Sequence, residues 1–319
     1  MLFFLLCILL LTAIEGWYDF APLPAHDWIA NNLQKIRVKR PNDFYFAVFG
    51  DNKNSGATFD TLLKMENRDP DIAFGIDVGD LVFDGEREKY RYFIKQVRDN
   101  SPLPFLTAIG NHELLEKGRG LYYNILGPFY YSFRIGRNYF IVLDDANEIG
   151  LDQWQRKWLE KELKKAQNYN TRLVFMHVPL FDPRDKKHHH CLPKDSAKSL
   201  LTLFQKYHVT HIFASHIHGY FTGQWGGIPY TITGGAGAEL VGTSPEHYFY
   251  HYLKVHVKEG RIDIYVQHIP SPDYEWLDRL GSALWLYLCA FIRFHGIELA
   301  LFLIMGKLLT LTFTRKQTK

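Results

Sequence analysis

The sequence contains little cysteine and almost no excess charge of either sign. Only three of its 319 residues are cysteine. Two of them, Cys7 and Cys289, lie in hydrophobic ends, so we expect no disulfide framework in the central region around Cys191. The net charge is +3, from 37 basic and 34 acidic residues. The chain therefore lacks the excess of basic residues that is typical of nucleic-acid-binding proteins. Internal repeats and low-complexity segments are also missing. Because 47% of the residues are hydrophobic, disorder is excluded as well.

Histidine, in contrast, is abundant. The chain has 15 histidines, and imidazole is both the commonest metal ligand and the usual acid or base at neutral pH. Scattered surface histidines would carry no function, whereas histidines at the ends of buried strands would indicate a site. Their placement along the chain therefore decides how they are interpreted.

Both ends of the chain are hydrophobic. Residues 1–16 contain an apolar run of signal-peptide length and are predicted to be a secretory signal, with an uncleaved N-terminal anchor as the alternative. Residues 281–314 form a longer hydrophobic segment, which Arg293, Glu298 and Lys307 interrupt. This segment is predicted to lie on a membrane or span it as a helix, or else to pack as an amphipathic helix on the globular domain. We therefore expect an exported, membrane-associated protein with an extracytoplasmic domain.

The region from 41 to 270 is predicted to be one α/β domain. Short apolar runs predict buried strands at 44–49, 72–76, 105–109, 173–176 and 211–214. Helical periodicity occurs at 57–67, 86–98, 151–167 and 195–207, and the third helix has Trp154 and Trp158 in its predicted core-facing stripe. Alternating patterns predict further strands within 129–144, 228–234 and 248–268. This combination predicts sheets sandwiched between helices.

Polar residues follow each of the five predicted buried strands. They are Asp51, Asp80, Asn111, His112, His177, His216 and His218. In α/β folds, the carboxyl ends of strands are where sites are built. Oxygen and imidazole donors suit divalent or trivalent metal ions rather than thiolate chemistry. Five separate coincidences of this kind favour a metal site over isolated loop residues.

These motifs, in this order, resemble the calcineurin-like metallophosphoesterases. The resemblance covers about residues 44–238 and rests on Gly50-Asp51, Gly79-Asp80, Gly110-Asn-His-Glu113, His177 and the His-x-His pair His216 and His218. It implies an α/β protein with a four-layer α/β/β/α sandwich flanked here by hydrophobic N- and C-terminal segments. It also implies a two-metal site between the sheets, filled by Mn, Fe or Zn, and the hydrolysis of phosphoesters.

The resemblance further implies a role for each site residue. The metal ligands would be Asp80 as the bridge, Asp51 and His218 on the first ion, and Asn111, His177 and His216 on the second. A single bridging carboxylate holds two cations about 3.5–4 Å apart, so that a shared hydroxide can attack phosphorus in line. His112 would be the catalytic residue that stabilises the transition state and protonates the leaving oxygen as a general acid.

The first motif departs from the family pattern. Many members have Asp-x-His there, with the histidine on the first metal, whereas this chain has Lys53. Purple acid phosphatases compensate with a tyrosine where this chain has Phe83, so the sequence resembles a purple acid phosphatase-related branch without the Tyr ligand. We expect Lys53 to clamp the substrate phosphate, with Asn111 as a second substrate contact. A solvent-facing Lys53 is the alternative, and Asn52 or Asn54 could supply an oxygen if the loop turns inward.

The expected function is that of a metal-dependent phosphatase or phosphodiesterase. Its substrate would be a phosphoester small molecule or a lipid-linked phosphate, and its membrane contact would come from the C-terminal segment. The alternative is a noncatalytic metal- or phosphate-binding protein with a weakened first metal position, although His112 would have little use in such a protein. The polar segment 188–191, with its three histidines, would be either a rim of the substrate site or a solvated loop.

Overall fold

The computed structural model describes residues 5–10, 12–13, 22–184 and 189–271, and then 277, 280–281, 284, 288, 291–292 and 295–308. The chain divides into two units. One is Leu23–Asp273, and the other comprises Met1–Pro22 together with Tyr274–Lys319. The unit Leu23–Asp273 contains every strand of the part of the chain that the structure describes.

Three parallel strands and an antiparallel hairpin form the first sheet. Its strands are β1 (Asp43–Phe49), β2 (Ile72–Asp77), β3 (Phe105–Thr107), β10 (His251–Lys258) and β11 (Arg261–His268). They lie in the order β11-β10-β1-β2-β3. β1 pairs in parallel with β2, and β2 with β3, so the carboxyl ends of all three meet at one edge of the sheet.

The second sheet has a parallel centre and antiparallel edges. Its strands are β4 (Tyr131–Ile135), β5 (Asn138–Val142), β6 (Thr171–Phe175), β7 (His211–Ala214), β8 (Tyr220–Trp225) and β9 (Ile228–Thr233). They lie in the order β4-β5-β6-β7-β9-β8. Strands β5, β6, β7 and β9 are parallel, while β4 and β8 pair antiparallel with their neighbours.

Helices cover the outer faces of the two sheets. They are α1 (Trp28–Lys35), α2 (Ala57–Arg68), α3 (Arg87–Asn100), α4 (Gly118–Ile125), α5 (Gln153–Ala166) and α6 (Lys194–Lys206), with a short 3₁₀ helix at His112–Leu114. Phe59 of α2 and Phe93 of α3 pack on Phe105 of the first sheet. Leu159 of α5 and Phe204 of α6 belong to the cluster on the outer face of the second sheet.

Aromatic side chains fill the space between the sheets. Phe46 of β1 lies 5.5 Å from Phe140 of β5 and 6.2 Å from Phe175 of β6, measured between ring centroids. All three rings are buried, and each such burial stabilises the fold by about 1.5–3 kcal/mol. The layers therefore run helix, sheet, sheet, helix, which confirms the predicted α/β/β/α sandwich.

One predicted core residue is not in the core. Trp154, in the first turn of α5, is 68% exposed, and Lys157 lies over its ring. Its neighbour Gln155 takes the buried position because the Gln155 amide exchanges hydrogen bonds with the backbone N–H and C=O of Asp144. The prediction for Trp154 was wrong because a polar side chain with a backbone partner displaced the aromatic one.

The hydrophobic ends are described only in part. The described residues of 281–314 are helical, and Leu301 and Phe302 are exposed. Among the helices that the structure describes, none has the length and apolar character to cross a membrane. Much of the predicted signal, and several residues of the predicted C-terminal helix, lie outside the described residues. The signal and the membrane segment stay predictions.

Candidate functional site

Three buried residues from three strand ends converge. Asp51 follows β1, Asp80 follows β2 and His177 follows β6, and each offers a ligand atom within 4.8 Å of the other two. Because β1 and β2 belong to one sheet and β6 to the other, the cluster lies where the carboxyl edges of the two sheets meet. This is the edge at which the sequence predicted a metal site.

A second group of donors adjoins this cluster. Asn111 Oδ1 lies 2.9 Å from His177 Nε2 and 3.0 Å from His216 Nδ1, and His177 Nε2 lies 3.3 Å from Asp80 Oδ1. Ligand atoms around one small cation are separated by about 3 Å when each bond is about 2.0–2.2 Å long. The four atoms therefore fit a single metal ion.

One carboxylate oxygen in the cluster has no hydrogen bond. Ser215 Oγ donates to Asp51 Oδ2 at 2.5 Å, while the buried Asp51 Oδ1 has no hydrogen-bond partner among the described residues. It lies 3.6 Å from His218 Nε2. Because an unsatisfied buried anion is costly, a cation beside Asp51 Oδ1 would stabilise this arrangement. The donor set thus fits a metal on both chemical and geometric grounds.

Backbone carbonyls fix how two of the histidines present their lone pairs. His177 Nδ1 donates to the carbonyl oxygen of Val78 at 3.0 Å, and His218 Nδ1 donates to that of Glu239 at 2.6 Å. Since a carbonyl only accepts, the Nε2 atom of each ring carries the lone pair. Both Nε2 atoms point into the cluster, as metal ligands require.

The turns that carry these residues have an uncommon backbone conformation. Asp51, Asp80 and His216 have φ values of 58°, 58° and 66°, a left-handed region that costs a non-glycine residue about 1–3 kcal/mol. Gly110 allows the turns to approach each other closely, because a Cβ there would lie 2.3 Å from the backbone nitrogen of Asp80. Such strain persists where surrounding contacts hold it, and it is common at functional sites.

Glu113 holds these turns together. Its Oε2 accepts hydrogen bonds from the backbone nitrogens of Gly110 at 2.6 Å and Asp80 at 3.0 Å, and its Oε1 accepts one from Val82 at 3.0 Å. Burial and the charge of Asp80 raise the pKa of Glu113 to about 7. The sequence included Glu113 in a motif without showing its role, because its partners are backbone N–H groups.

Asp145 supports His177 in the same way. Its two carboxylate oxygens accept hydrogen bonds from the backbone nitrogens of His177 at 2.8 Å and Val178 at 3.0 Å. Burial raises the pKa of Asp145 to about 7. Asp145 was not predicted as a site residue, although the polar pair Asp144-Asp145 follows β5 just as the other polar clusters follow their strands.

Two asparagines near the first motif bond away from the cluster. Asn52 Nδ2 donates to Asp77 Oδ2 at 2.7 Å. Asn54 Oδ1 accepts from the backbone nitrogen of Phe83 at 2.9 Å, and Asn54 Nδ2 donates to the carbonyl oxygen of Lys89 at 3.0 Å. The loop therefore does not turn their side chains toward the metal donors, which was the condition for either to act as a ligand.

Lys53 points into the site. Its Nζ lies 2.9 Å from His112 Nε2, 3.0 Å from His218 Nε2 and 3.2 Å from Asp80 Oδ2. Its side chain is 14% exposed. The alternative of a solvent-facing Lys53 is wrong, because its ammonium group is directed by these three acceptors.

The charges around Asp80 keep it ionised. Burial on its own would favour the neutral acid, but the electrostatic attraction of the neighbouring His177, Lys53 and His112 and a hydrogen bond from the His112 backbone N–H outweigh it and hold the pKa of Asp80 well below its usual range. Burial and the neighbouring His177 lower the pKa of His216 to about 3. The site therefore combines an anionic carboxylate with a neutral imidazole, the forms that bind metal.

Part of the histidine-rich segment lies beside the site. The ring centroid of His190 is 5.7 Å from that of His216, and His190 is exposed. The backbone nitrogen of His190 donates to Asp182 Oδ2 at 3.2 Å, which fixes this side of the loop. His188 lies outside the described residues. A substrate contact by this segment stays a prediction.

Comparisons with known proteins show the family of this chain. The family model described as calcineurin-like phosphoesterase matches residues 44–220. The chain is 28% identical over 120 residues to the Fe(3+)-Zn(2+) purple acid phosphatase 12 of Arabidopsis thaliana, a match that covers 37% of this chain and 24% of that protein. It is 25% identical over 209 residues to a probable cyclic nucleotide phosphodiesterase of Xenorhabdus bovienii, covering 59% of this chain and 77% of that one.

A solved structure shares the fold. The purple acid phosphatase isolated from yellow lupin (Lupinus luteus) seeds superposes with a TM-score of 0.59 at 18% identity, covering 71% of this chain and 51% of that chain. The chain spans about a quarter of the length of the curated Arabidopsis purple acid phosphatase, 24%. The likeness to the solved structure therefore shows the sandwich fold.

Proposed function

This chain belongs to the calcineurin-like phosphoesterase family, and from that membership we propose that it is a metal-dependent hydrolase of phosphate esters. The observation that carries the proposal is the convergence of Asp51, Asp80 and His177, whose ligand atoms lie within 4.8 Å of one another in a buried cluster. The buried Asp51 Oδ1 has no hydrogen-bond partner among the described residues, which is costly for a carboxylate, and a metal ion beside it would offset that cost.

The proposed centre takes two divalent or trivalent ions, Mn, Fe or Zn. Asp80 would contact both ions, because its two oxygens point to different sides of the site. Oδ1 faces His177, a proposed ligand of the second ion, and Oδ2 points to the other side, toward Lys53 and His112. The remaining ligands would be Asp51 and His218 for the first ion and Asn111, His177 and His216 for the second. The relative of the chain that is named for Fe(3+) and Zn(2+) supports a mixed centre of this kind.

Bound metal ions would supply positive charge for the phosphate and lower the pKa of a water that acts as the nucleophile. The chain's own contribution is to hold the donors in place and to keep them in their binding forms. Asp80 stays ionised at neutral pH because cationic partners lower its pKa. Neutral His216 offers Nδ1 as a ligand atom because burial lowers its pKa.

His112 is the proposed general acid. Its Nδ1 donates to the carbonyl oxygen of Phe83 at 2.5 Å, which orients the ring so that Nε2 faces the cluster, 3.8 Å from Asp80 Oδ2. In the described arrangement Nε2 accepts from Lys53; once the ammonium turns to the phosphate, Nε2 would take up a proton and transfer it to the leaving oxygen as the ester bond breaks. Such proton transfer contributes about 10²–10⁴-fold to a rate.

Lys53 and Asn111 are the proposed substrate contacts. The Lys53 ammonium is held inside the site rather than in solvent, where its charge can attract a phosphate oxygen. The Asn111 carboxamide oxygen faces His177 and His216, so its nitrogen is the part that remains for the substrate. Both residues would position the phosphate without taking part in bond breaking.

The substrate proposed is a phosphoester small molecule or a lipid-linked phosphate. Relatives named as a purple acid phosphatase and as a probable cyclic nucleotide phosphodiesterase support monoesters and diesters respectively. Export and attachment of the protein to a membrane through residues 281–314 remain part of the proposal. They would place the α/β unit outside the cytoplasm, beside lipid headgroups.

Hydrolysis of chromogenic esters tests the proposed function. The purified full chain should hydrolyse a mono- or a diester of p-nitrophenol after loading with Mn²⁺, Fe²⁺ or Zn²⁺, and the rate should fall about 10²–10⁴-fold for His112→Ala. Trp154→Ala is the matched control, because this ring is 68% exposed. Bound metal without turnover of either ester would favour the alternative, a noncatalytic metal- or phosphate-binding protein of the same fold.

A further inference from the structure

The Lys53 ammonium occupies acceptors that the first metal ion needs. Its Nζ lies 3.0 Å from His218 Nε2 and 3.2 Å from Asp80 Oδ2. Both residues are proposed ligands of the first ion. A lysine at this position therefore does more than replace the histidine that many family members have, because it contacts the remaining ligands.

The tautomers of two histidines show which lone pairs are used. His112 Nδ1 donates to the carbonyl oxygen of Phe83, and His218 Nδ1 donates to that of Glu239. Each Nε2 atom is then an acceptor, and Lys53 donates to both. The lone pair of His218 that would bind a metal is therefore the one that accepts from Lys53.

Donors and acceptors match in number. An ammonium group has three N–H donors and no acceptor, and Lys53 Nζ has three acceptors within 3.2 Å, namely His112 Nε2, His218 Nε2 and Asp80 Oδ2. The ammonium therefore fills this side of the site with one positive charge. A metal ion that shared Asp80 Oδ2 and His218 Nε2 would have to displace it.

Among the described residues, no ammonium group contacts the ligands of the second metal position in this way. Asn111 Oδ1, His177 Nε2 and His216 Nδ1 contact one another at 2.9 and 3.0 Å, and Asp80 Oδ1 is the oxygen turned toward His177. Lys53 contacts the other oxygen of Asp80. The two positions therefore differ in what a metal ion must displace.

We infer that Lys53 competes with the first metal ion for Asp80 and His218, so that the two positions fill in sequence and with unequal affinity. The inference rests on the proposed metal centre and adds an order of loading to it. The position formed by Asn111, His177 and His216, called the second above, takes up a metal ion before the other and holds it tightly. The first position fills only when a higher metal concentration displaces the ammonium, which is then free to contact a phosphate.

Calorimetric titration of the full chain in detergent, after chelation and dialysis, tests this order with Mn²⁺ as the probe. The wild type should bind one ion tightly and a second at least about tenfold more weakly. Lys53→Met leaves an unbranched side chain one atom shorter but removes its charge and donors, and should raise the affinity for the more weakly bound ion by at least about tenfold. Lys53→Arg retains the positive charge, so the second ion to bind should remain weakly bound in this variant.

Two controls separate local from general effects. Lys254→Met removes the same charge from a lysine that pairs with Asp69 and Asp71, away from the strand-end motifs, and should leave both affinities unchanged. Circular dichroism verifies that each variant is folded, and Lys53→Ala replaces Lys53→Met if the latter does not fold.

The outcomes distinguish the inference from the function on which it rests. If the tightly bound ion binds as in the wild type, while Lys53→Met and Lys53→Ala leave the affinity for the weakly bound ion unchanged, the competition is disproved and the metal centre stands. Two ions of equal affinity in the wild type would also overturn it. If neither the wild type nor Lys53→Met binds Mn²⁺, Zn²⁺ or Fe²⁺, the metal centre and the inference are both contradicted.

Discussion

Asp80 Oδ1 lies 3.3 Å from Nε2 of His177, across the boundary between the two sheets. The residues follow strands β2 and β6, and both are buried. A contact between an anionic oxygen and an imidazole lone pair is unfavourable unless a proton or a cation lies between them. This pair is therefore the most direct point at which to probe the metal centre.

Asp80→Asn should abolish tight metal binding. The substitution preserves shape but removes the negative charge that both proposed ions share, so metal affinity should fall by at least about 100-fold, more than for loss of a supporting hydrogen bond. Metal content after dialysis, measured by plasma mass spectrometry, checks this. Asp263→Asn, on an exposed position of β11, is the matched control. Wild-type metal content in Asp80→Asn would contradict the assignment.

Gly110→Ala should damage the site, whereas Gly120→Ala should not. A Cβ at Gly110 would lie 2.3 Å from the backbone nitrogen and from Oδ1 of Asp80, while one at Gly120 would meet nothing within 4 Å. We expect Gly110→Ala to lower the stability by about 1–3 kcal/mol through overpacking and to reduce metal content. Gly120→Ala in α4 should raise stability by about 0.5–1 kcal/mol. Urea unfolding measures both.

Glu113→Ala should destabilise the fold strongly. Three buried backbone N–H groups, those of Gly110, Asp80 and Val82, would lose their acceptor. Each unsatisfied group costs about 1–3 kcal/mol, so the free energy of unfolding should fall by at least about 3 kcal/mol.

Urea unfolding of Glu113→Ala, compared with Glu246→Ala at an exposed position, checks this expectation. The comparison isolates the lost acceptor from the general effect of removing a glutamate. A loss below about 1 kcal/mol, closer to the roughly 0.5 kcal/mol of an ordinary surface substitution, would show that water replaces the carboxylate.

Glu66→Gln should change how stability depends on pH. Glu66 of α2 is fully buried, its carboxylate oxygens have no hydrogen-bond partner among the described residues, and burial raises its pKa to about 8 from 4.5. A raised pKa contributes stability that is present below pH 4.5 and is lost as the pH rises through 8.

The free energy of unfolding of the wild type should therefore fall between pH 4.5 and about pH 8, and that of Glu66→Gln should fall less. Above about pH 8, the wild type should have lost roughly 4–5 kcal/mol more of its free energy of unfolding than the variant. Urea unfolding at several pH values measures it. Parallel pH profiles for Glu66→Gln and the wild type would mean that Glu66 does not titrate within the folded protein.

The sequence predicted the parts of the fold that follow from hydrophobic periodicity. The run 211–214 coincides with β7, and the prediction of 57–67 ends one residue before α2 does. The predicted 105–109 strand is shorter, Phe105–Thr107; Ala108 still donates to the carbonyl oxygen of Asp77, and the chain then enters the turn at Gly110. Strand β8 was not predicted, because Thr222, Gly223 and Gln224 give it an exposed, polar centre.

The candidate site was predictable where its residues follow strands, and unpredictable where they act through the backbone. Asp51, Asp80 and His177 are found by position alone. The direction of Lys53 could not be predicted, because it depends on a loop whose residues 53 and 54 have φ values of 44° and 57°. The acceptor roles of Glu113 and Asp145 depend on which N–H groups the turns leave unpaired, and no residue pattern encodes that.

The proposed donors of the metal centre span residues 51 to 218 and follow five strands from both sheets. In the unfolded chain these groups are far apart, so metal affinity is a property of the completed tertiary structure. Contacts of such long sequence separation form slowly, and an ion that binds only the folded chain stabilises it by mass action. A chelator should therefore accelerate degradation of this protein by proteases even where no cleavage site is near the metal.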